Sequence, residues 1–148
     1  MDPTVSELAS SGGWLIEDPR RRQRAHPDTF WLPDDALRAK IEPGSQVRLL
    51  LWFVDETESG DAVPQCERMW ALVESRGGDV ICGRLTSPPV SARAPLEMGQ
   101  AIEFQPTDAV DVLDREEAWR DHLDFLAAIF DGDEAFERYQ QSRLDQEA

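Results

Sequence analysis

The chain has 148 residues, enough for one domain whose single core buries roughly two thirds of the surface its unfolded chain exposes. Its formal charge of -15, from 30 acidic and 15 basic residues, disfavours DNA or RNA as a direct ligand, because phosphate binding is built on clustered Lys and Arg. No apolar run approaches the roughly 20 residues a membrane helix needs, and the start MDPTVSELAS lacks a basic and an apolar leader region, so a cytoplasmic protein without a membrane partner is expected.

Residues 1–25 read as an N-terminal appendage. It holds SSGG at Ser10 to Gly13, an isolated WLI that packs Trp14 and Leu15 onto the body, and the basic run PRRRQR at Pro19 to Arg24, read as a linker lying against the acidic tail. Residues 26–112 read as a β-rich domain. HPDTFWLP predicts a short extended run stopped by Pro33. A short helix follows, capped by Asp34 or Asp35, with Leu37 and Ile41 on one face and Pro43-Gly44 at its end.

VRLLLWFV, Val47 to Val54, is almost continuously apolar and predicts a central strand buried on both faces. DETESGDAVPQ reads as an exposed polar loop. CERMWALVES predicts the next strand, with Arg68, Trp70 and Leu72 on one face and Glu67, Met69, Ala71 and Val73 on the other. Arg76-Gly77-Gly78-Asp79 supplies a hairpin turn, and DVICGRL returns as the partner strand. The proline-rich TSPPVSARAPLEMGQ reads as a loop before a last short strand, AIEF. Two strands share a lead-in: Gly44 and Gly99 both open the pattern Gly-x-x-apolar-x-apolar, the mark of a recurring turn-to-strand device.

Residues 113–148 change period and carry most of the acid. From Pro106 to Ala148 there are 13 Asp and Glu against 4 Arg. Asp114 and Glu117 form a capping-box pattern, and Trp119, Leu123, Leu126 and Phe130 then fall at helical spacing. Asp131-Gly132-Asp133 breaks that helix, and a second carries Phe136, Tyr139 or Gln140, and Leu144. The expected class is therefore α+β: a small twisted antiparallel sheet or partial barrel, a short helix before it, and two C-terminal helices packed on the same core.

Catalytic and metal-binding patterns are missing from the sequence. Cys66 and Cys82 fall on neighbouring strands and are expected as free, mostly buried thiols. His26 and His122 are far apart and there is no Cys-x-x-Cys pair, so no metal is expected. Ala135 and Phe136 stand where a calcium loop beginning at Asp131 would need a ligand and a glycine. There is no nucleophile elbow, zinc-protease helix or phosphate loop. The sequence thus leans away from an enzyme and implies no cofactor.

The run Glu67-Arg68-Met69-Trp70, a Gly-containing hairpin, Gly83-Arg84-Leu85 and the downstream Pro88 resemble an uncharacterised bacterial family, domain of unknown function 2314. HPDTFWLP, Gly44 with VRLLLWF, and Gly99 with AIEF fall in the order that family shows, over about His26 to Val112. Where the family usually has Asn before the loop proline, this chain reads Thr86-Ser87-Pro88. The resemblance implies a compact bacterial domain, related at a distance to immunity proteins of toxin systems, and no catalytic residues.

The leading expectation is a non-enzymatic interaction module whose acidic surface meets a basic protein partner. The alternative is a small-ligand or enzymatic domain with a pocket near Trp31, Arg68 and Trp70. Candidate binding residues are Trp31, Glu67, Arg68, Trp70, Arg84, Ser87 and Pro88, Trp and Arg being the types that dominate binding hot spots. Trp70 itself reads first as core, with Arg68 stacked at its edge or paired with a buried acid. The sequence does not fix an oligomeric state.

Overall fold

The computed structural model describes residues 2–87, 95–117, 127–128 and 131–147. Six strands form one antiparallel sheet, β1 (Trp14–Ile16), β2 (Gln46–Glu56), β3 (Ala62–Gly77), β4 (Val80–Leu85), β5 (Ala101–Phe104) and β6 (Asp111–Leu113). The spatial order is β1-β2-β3-β4-β5. Both β1 and β6 pair with β2 on its free side, β1 along Leu51 to Phe53 and β6 along Gln46 to Arg48. The sheet curls into a half-barrel, and the class is α+β as the sequence predicts.

The alternation of β2 explains both the curl and the core. Val47, Leu49, Leu51 and Phe53 point inward and meet Met69, Ala71 and Val73 of β3, Ile81 and Leu85 of β4, Ile102 and Phe104 of β5, and Val112 of β6. Leu37 of the short helix α3 (Asp35–Ala39) and Ile41 just after it close this inner face; the first turn of α3 is capped by Asp34, the carboxylate accepting the Leu37 N–H at 2.8 Å. Arg76 ties α3 to the hairpin, donating to the Arg38 and Ile41 carbonyls, both at 2.9 Å. The other face of β2 is also apolar at Leu50 and Trp52, so the strand is buried on both sides as expected.

The repeated glycine lead-in has a physical reason. Glu42 to Ser45 and Glu97 to Gln100 each close a turn, the Ser45 and Gln100 N–H donating to the Glu42 and Glu97 carbonyls at 2.9 and 3.0 Å. Gly44 and Gly99 sit in each turn at φ 98° and 89°, where a side chain is strained. Their own N–H groups then join the next strand over, donating to Val73 and Leu85.

Several expectations need correction. The first 25 residues supply α1 (Val5–Ser10), β1 and α2 (Arg20–Ala25), and WLI is a strand of the sheet, not an isolated appendage. The PRRRQR run is not a linker but largely α2, with Arg21 and Arg22 on the Glu17 carboxylate. His26 to Pro33 form a turn with no strand. The loop after Val54 is shorter than expected, because β2 runs to Glu56 and β3 starts at Ala62. Pro64 is tolerated inside β3 because its missing N–H would point away from β2. The Trp70 N–H, an even number of residues on, donates on that same side.

In the acidic tail the capping box at Asp114 forms reciprocally. The Glu117 N–H donates to the Asp114 carboxylate at 2.9 Å, and the Asp114 N–H to Glu117 at 3.2 Å. Trp119, Leu123, Leu126 and Phe130 lie outside the described residues. The last helix, α4 (Asp133–Glu147), lays Phe136 on Leu72 with Met98, Ala128 and Tyr139 around it.

Candidate recognition face

The register across β2, β3 and β4 places one side of every second residue pair on the outer face of the sheet. From one end this face reads Trp52 opposite Cys66, Leu50 opposite Arg68, Arg48 opposite Trp70, and Gln46 opposite Leu72, with Arg84 beyond Leu72. The predicted split of the CERMWALV strand is therefore correct. Glu67 faces the other way, beside Leu51, so it does not join the outer-face residues.

Each end of the outer face is covered by a helix that brings an aromatic or a cation. At the Trp52 end, Arg22 of α2 stacks over the indole at 5.9 Å and donates to the Cys66 Sγ at 3.5 Å, while the Trp52 Nε1–H donates to Glu17 at 2.9 Å. At the other end Arg84 pairs with Glu74 and with Asp133 of α4, the latter at 2.6 Å, and lies over Phe136 at 5.8 Å. Arg84 is thus a latch for α4. Between the two ends, Arg48 stacks over Trp70 and Arg68 over Phe30, both at 5.7 Å. All four guanidinium–ring stacks among the described residues involve this face, each worth about 0.5–2 kcal/mol.

These contacts change two expectations about the motif. Arg68 neither stacks on Trp70 nor pairs with a buried acid; its ring partner is Phe30, and Arg48, which the sequence reading did not single out, holds Trp70. Trp70 is half-buried, not a core residue like Met69, which is 1% exposed. Its N–H donates to the Ser87 Oγ at 3.1 Å and its carbonyl accepts from the Thr86 N–H at 2.9 Å. Trp31, next to Phe30 in the chain, is 76% exposed. Arg68, Trp70, Ser87 and Arg84 therefore share one side of the sheet, Trp31 adjoins the ring that Arg68 covers, and Pro88 lies outside the described residues. Arg48 was legible only as a polar residue inside an apolar run.

Several clefts open among the described residues. One of about 550 Å³ lies between the β1 and β5 edges, with Trp14, Phe104 and Asp108 in its walls, and one of about 580 Å³ lies beside Arg84, Cys82 and Glu103. A third, of about 730 Å³, is lined by Lys40, Ile41 and Arg115. Trp31, Arg68 and Trp70 line none of these three. Burial pushes the Asp108 carboxyl above its usual range, against the lowering effect of the Gln105 N–H it accepts at 2.8 Å. That carboxylate is a cap for the Pro106–Asp108 turn. Among the described residues no group of three or more His, Cys, Asp or Glu is placed to hold a metal ion, and no helix is long and apolar enough to cross a membrane.

The cysteines are free but differently placed. Cys66 is opposite Trp52 and Cys82 opposite Ser75, so they are not a cross-strand pair, and Cys82 is exposed where a buried thiol was expected. Burial pushes the Cys66 thiol up to about 11, Arg22 pulling the other way. A thiol reagent at pH 7.5 is therefore expected to label Cys82 and leave Cys66 largely untouched. The protonated Cys66 favours the folded chain below the ordinary thiol range near 8.5, and that contribution is lost as pH rises through about 11. Equal labelling of both thiols in the native protein at pH 7.5 would contradict this placement.

Comparisons with protein-family models, with curated proteins and with solved structures return no match to this chain.

Proposed function

We propose that the chain is a non-enzymatic interaction module of the bacterial cytoplasm that binds a basic protein partner through the end of the β2–β3 hairpin. The observation that carries this reading is the fixed geometry of that acidic tip. No Lys or Arg lies between Arg48 and Arg68, whereas Asp55, Glu56, Glu58 and Asp61 crowd the turn, the last three exposed. The turn is closed by its own bonds. The Thr57 N–H donates to the Asp61 carbonyl and the Gly60 N–H to the Thr57 carbonyl, both at 2.9 Å, and the Asp61 N–H donates to the Thr57 Oγ1 at 3.1 Å.

A prong whose backbone is already fixed loses little freedom on binding, and Glu58 and Asp61 stand exposed on it. Three of the cations elsewhere are engaged at home: Arg20 with Asp18, Arg38 with Asp35, and Arg84 with Asp133. The resemblance to domain of unknown function 2314 supports the sharpest form of the reading, an immunity-like protein that occupies a basic surface of its target.

A capture from bacterial lysate on the immobilised chain tests this. The retained basic protein should fall by roughly tenfold or more between about 50 and 200 mM salt, as surface attraction is screened. Recovery of no basic protein at low salt, or retention indifferent to salt, rejects the reading. A small-ligand or enzymatic domain centred on Trp31, Arg68 and Trp70 has one observation in its favour, the half-buried indole with the Arg48 guanidinium over its ring.

A further inference from the structure

The middle of the outer face holds donors that lack acceptors. Arg48 and Arg68 make no ion pair among the described residues, although Asp111 of β6 is opposite Arg48 in the ladder; each guanidinium lies over a ring, at 5.7 Å, with N–H groups left for hydrogen bonds. Two residues before Arg48 and on the same face, Gln46 is 1% exposed. Its Oε1 accepts from the Thr86 Oγ1 at 3.0 Å, while its Nε2 is buried without an acceptor. The Arg48 Nε is buried without one as well. The Ser87 hydroxyl, beside them, accepts the Trp70 N–H at 3.1 Å and keeps its own proton to donate.

Buried donors left unsatisfied are costly, and an arriving acceptor gains more there than at an ordinary surface site. The acceptor that suits this set is planar and acceptor-only. A carboxylate takes two parallel bonds from a guanidinium and has lone pairs left for an amide. Two arginines in a chain of charge -15 favour a singly charged group over a polyanion. The geometry points to a carboxylate-binding site on the outer face, formed by Arg48 and Gln46 of β2 with Arg68 and Trp70 of β3. This is a second site, independent of the hairpin tip.

The test follows the arginine Nε–H resonances of the whole chain by NMR during titration with sodium acetate, with acetyl-aspartyl-amide, and with chloride and inorganic phosphate at matched ionic strength. Saturable shifts of Arg48 and Arg68 with acetate are expected, at a midpoint at least about tenfold lower than with chloride or phosphate. Saturation with both acetate and the blocked aspartate identifies a free carboxylate as sufficient. Saturation with the blocked aspartate alone assigns the site to a peptide side chain.

Arg48→Lys keeps the charge but loses the paired bonds, and should weaken acetate binding roughly tenfold. Gln46→Leu removes an unsatisfied donor together with the acceptor of the Thr86 hydroxyl, so it should lower the unfolding midpoint modestly and weaken acetate binding in the protein that remains folded. Overturning results are the absence of any saturable shift with either carboxylate, equal midpoints for chloride or phosphate, and full acetate affinity in both variants.

Discussion

Gly83→Ala is expected to lower the unfolding free energy by roughly 2–3 kcal/mol. A Cβ at Gly83 would sit 2.3 Å from the Leu72 carbonyl oxygen, a backbone atom that cannot swing aside. The obstacle arises where β3 and β4 lose register between Val73 and Ser75, which drives the two backbones together. Either the ladder opens or the bulge is lost, and both disturb the inner face through the neighbouring Val73, Leu85 and Ile102. For a chain of this length the melting midpoint should fall by about 8 °C. A fall of less than about 2 °C in calorimetry would mean that this close approach does not exist. The glycine in the Gly83-Arg84-Leu85 signature is on this account a packing requirement.

Met69→Ala should cost about 3 kcal/mol, whereas Trp31→Ala should change stability by less than about 0.5 kcal/mol. Met69 is opposite Leu49 on the inner face and 1% exposed, so its loss leaves a cavity among Leu49, Ala71 and their neighbours. Trp31, the largest exposed side chain described, gives up little on truncation. Trp70 should fall between them, because Arg48 covers one side of its ring while the residue remains half-exposed. Chemical denaturation of the three variants measures this directly. A Trp31→Ala cost equal to that of Met69→Ala would show that the indole is packed in solution and would remove it from any recognition surface.

What could be read from the sequence followed the strength of the local signal. The β2 run was visible because eight residues from Val47 to Val54 are nearly all apolar, with Arg48 the exception, and the alternation along Glu67 to Val73 fixed which side chains share a face. The caps at Asp34 and Asp114 were visible because capping chemistry lies within four residues. β1 and β6 were missed because three-residue edge strands carry no period of their own and exist only through pairing with β2. The basic run became a helix because Glu17 and Trp52, distant or differently grouped in the sequence, receive its arginines. The outer-face set was half legible. Trp70, Arg68 and Ser87 stood out by residue type, but the ring partner of each arginine is a tertiary fact, and Arg48 and Gln46 carry no signal beyond polarity in an apolar neighbourhood.

The partner reading rests on the hairpin tip, and charge reversal there tests it most directly. Glu56, Glu58 and Asp61 are exposed, and the turn is closed by backbone and Thr57 hydroxyl bonds of Thr57, Gly60 and Asp61, so Glu56→Lys, Glu58→Lys and Asp61→Lys together should leave the fold intact by circular dichroism. The control reverses three exposed acids elsewhere, Asp35, Glu116 and Glu134. Quantitative mass spectrometry of proteins retained on the parent chain and on both variants should find a basic protein lost at least roughly tenfold on the tip variant and largely kept on the control. Equal retention on the tip variant, or equal loss on both, would contradict the assignment of recognition to the tip.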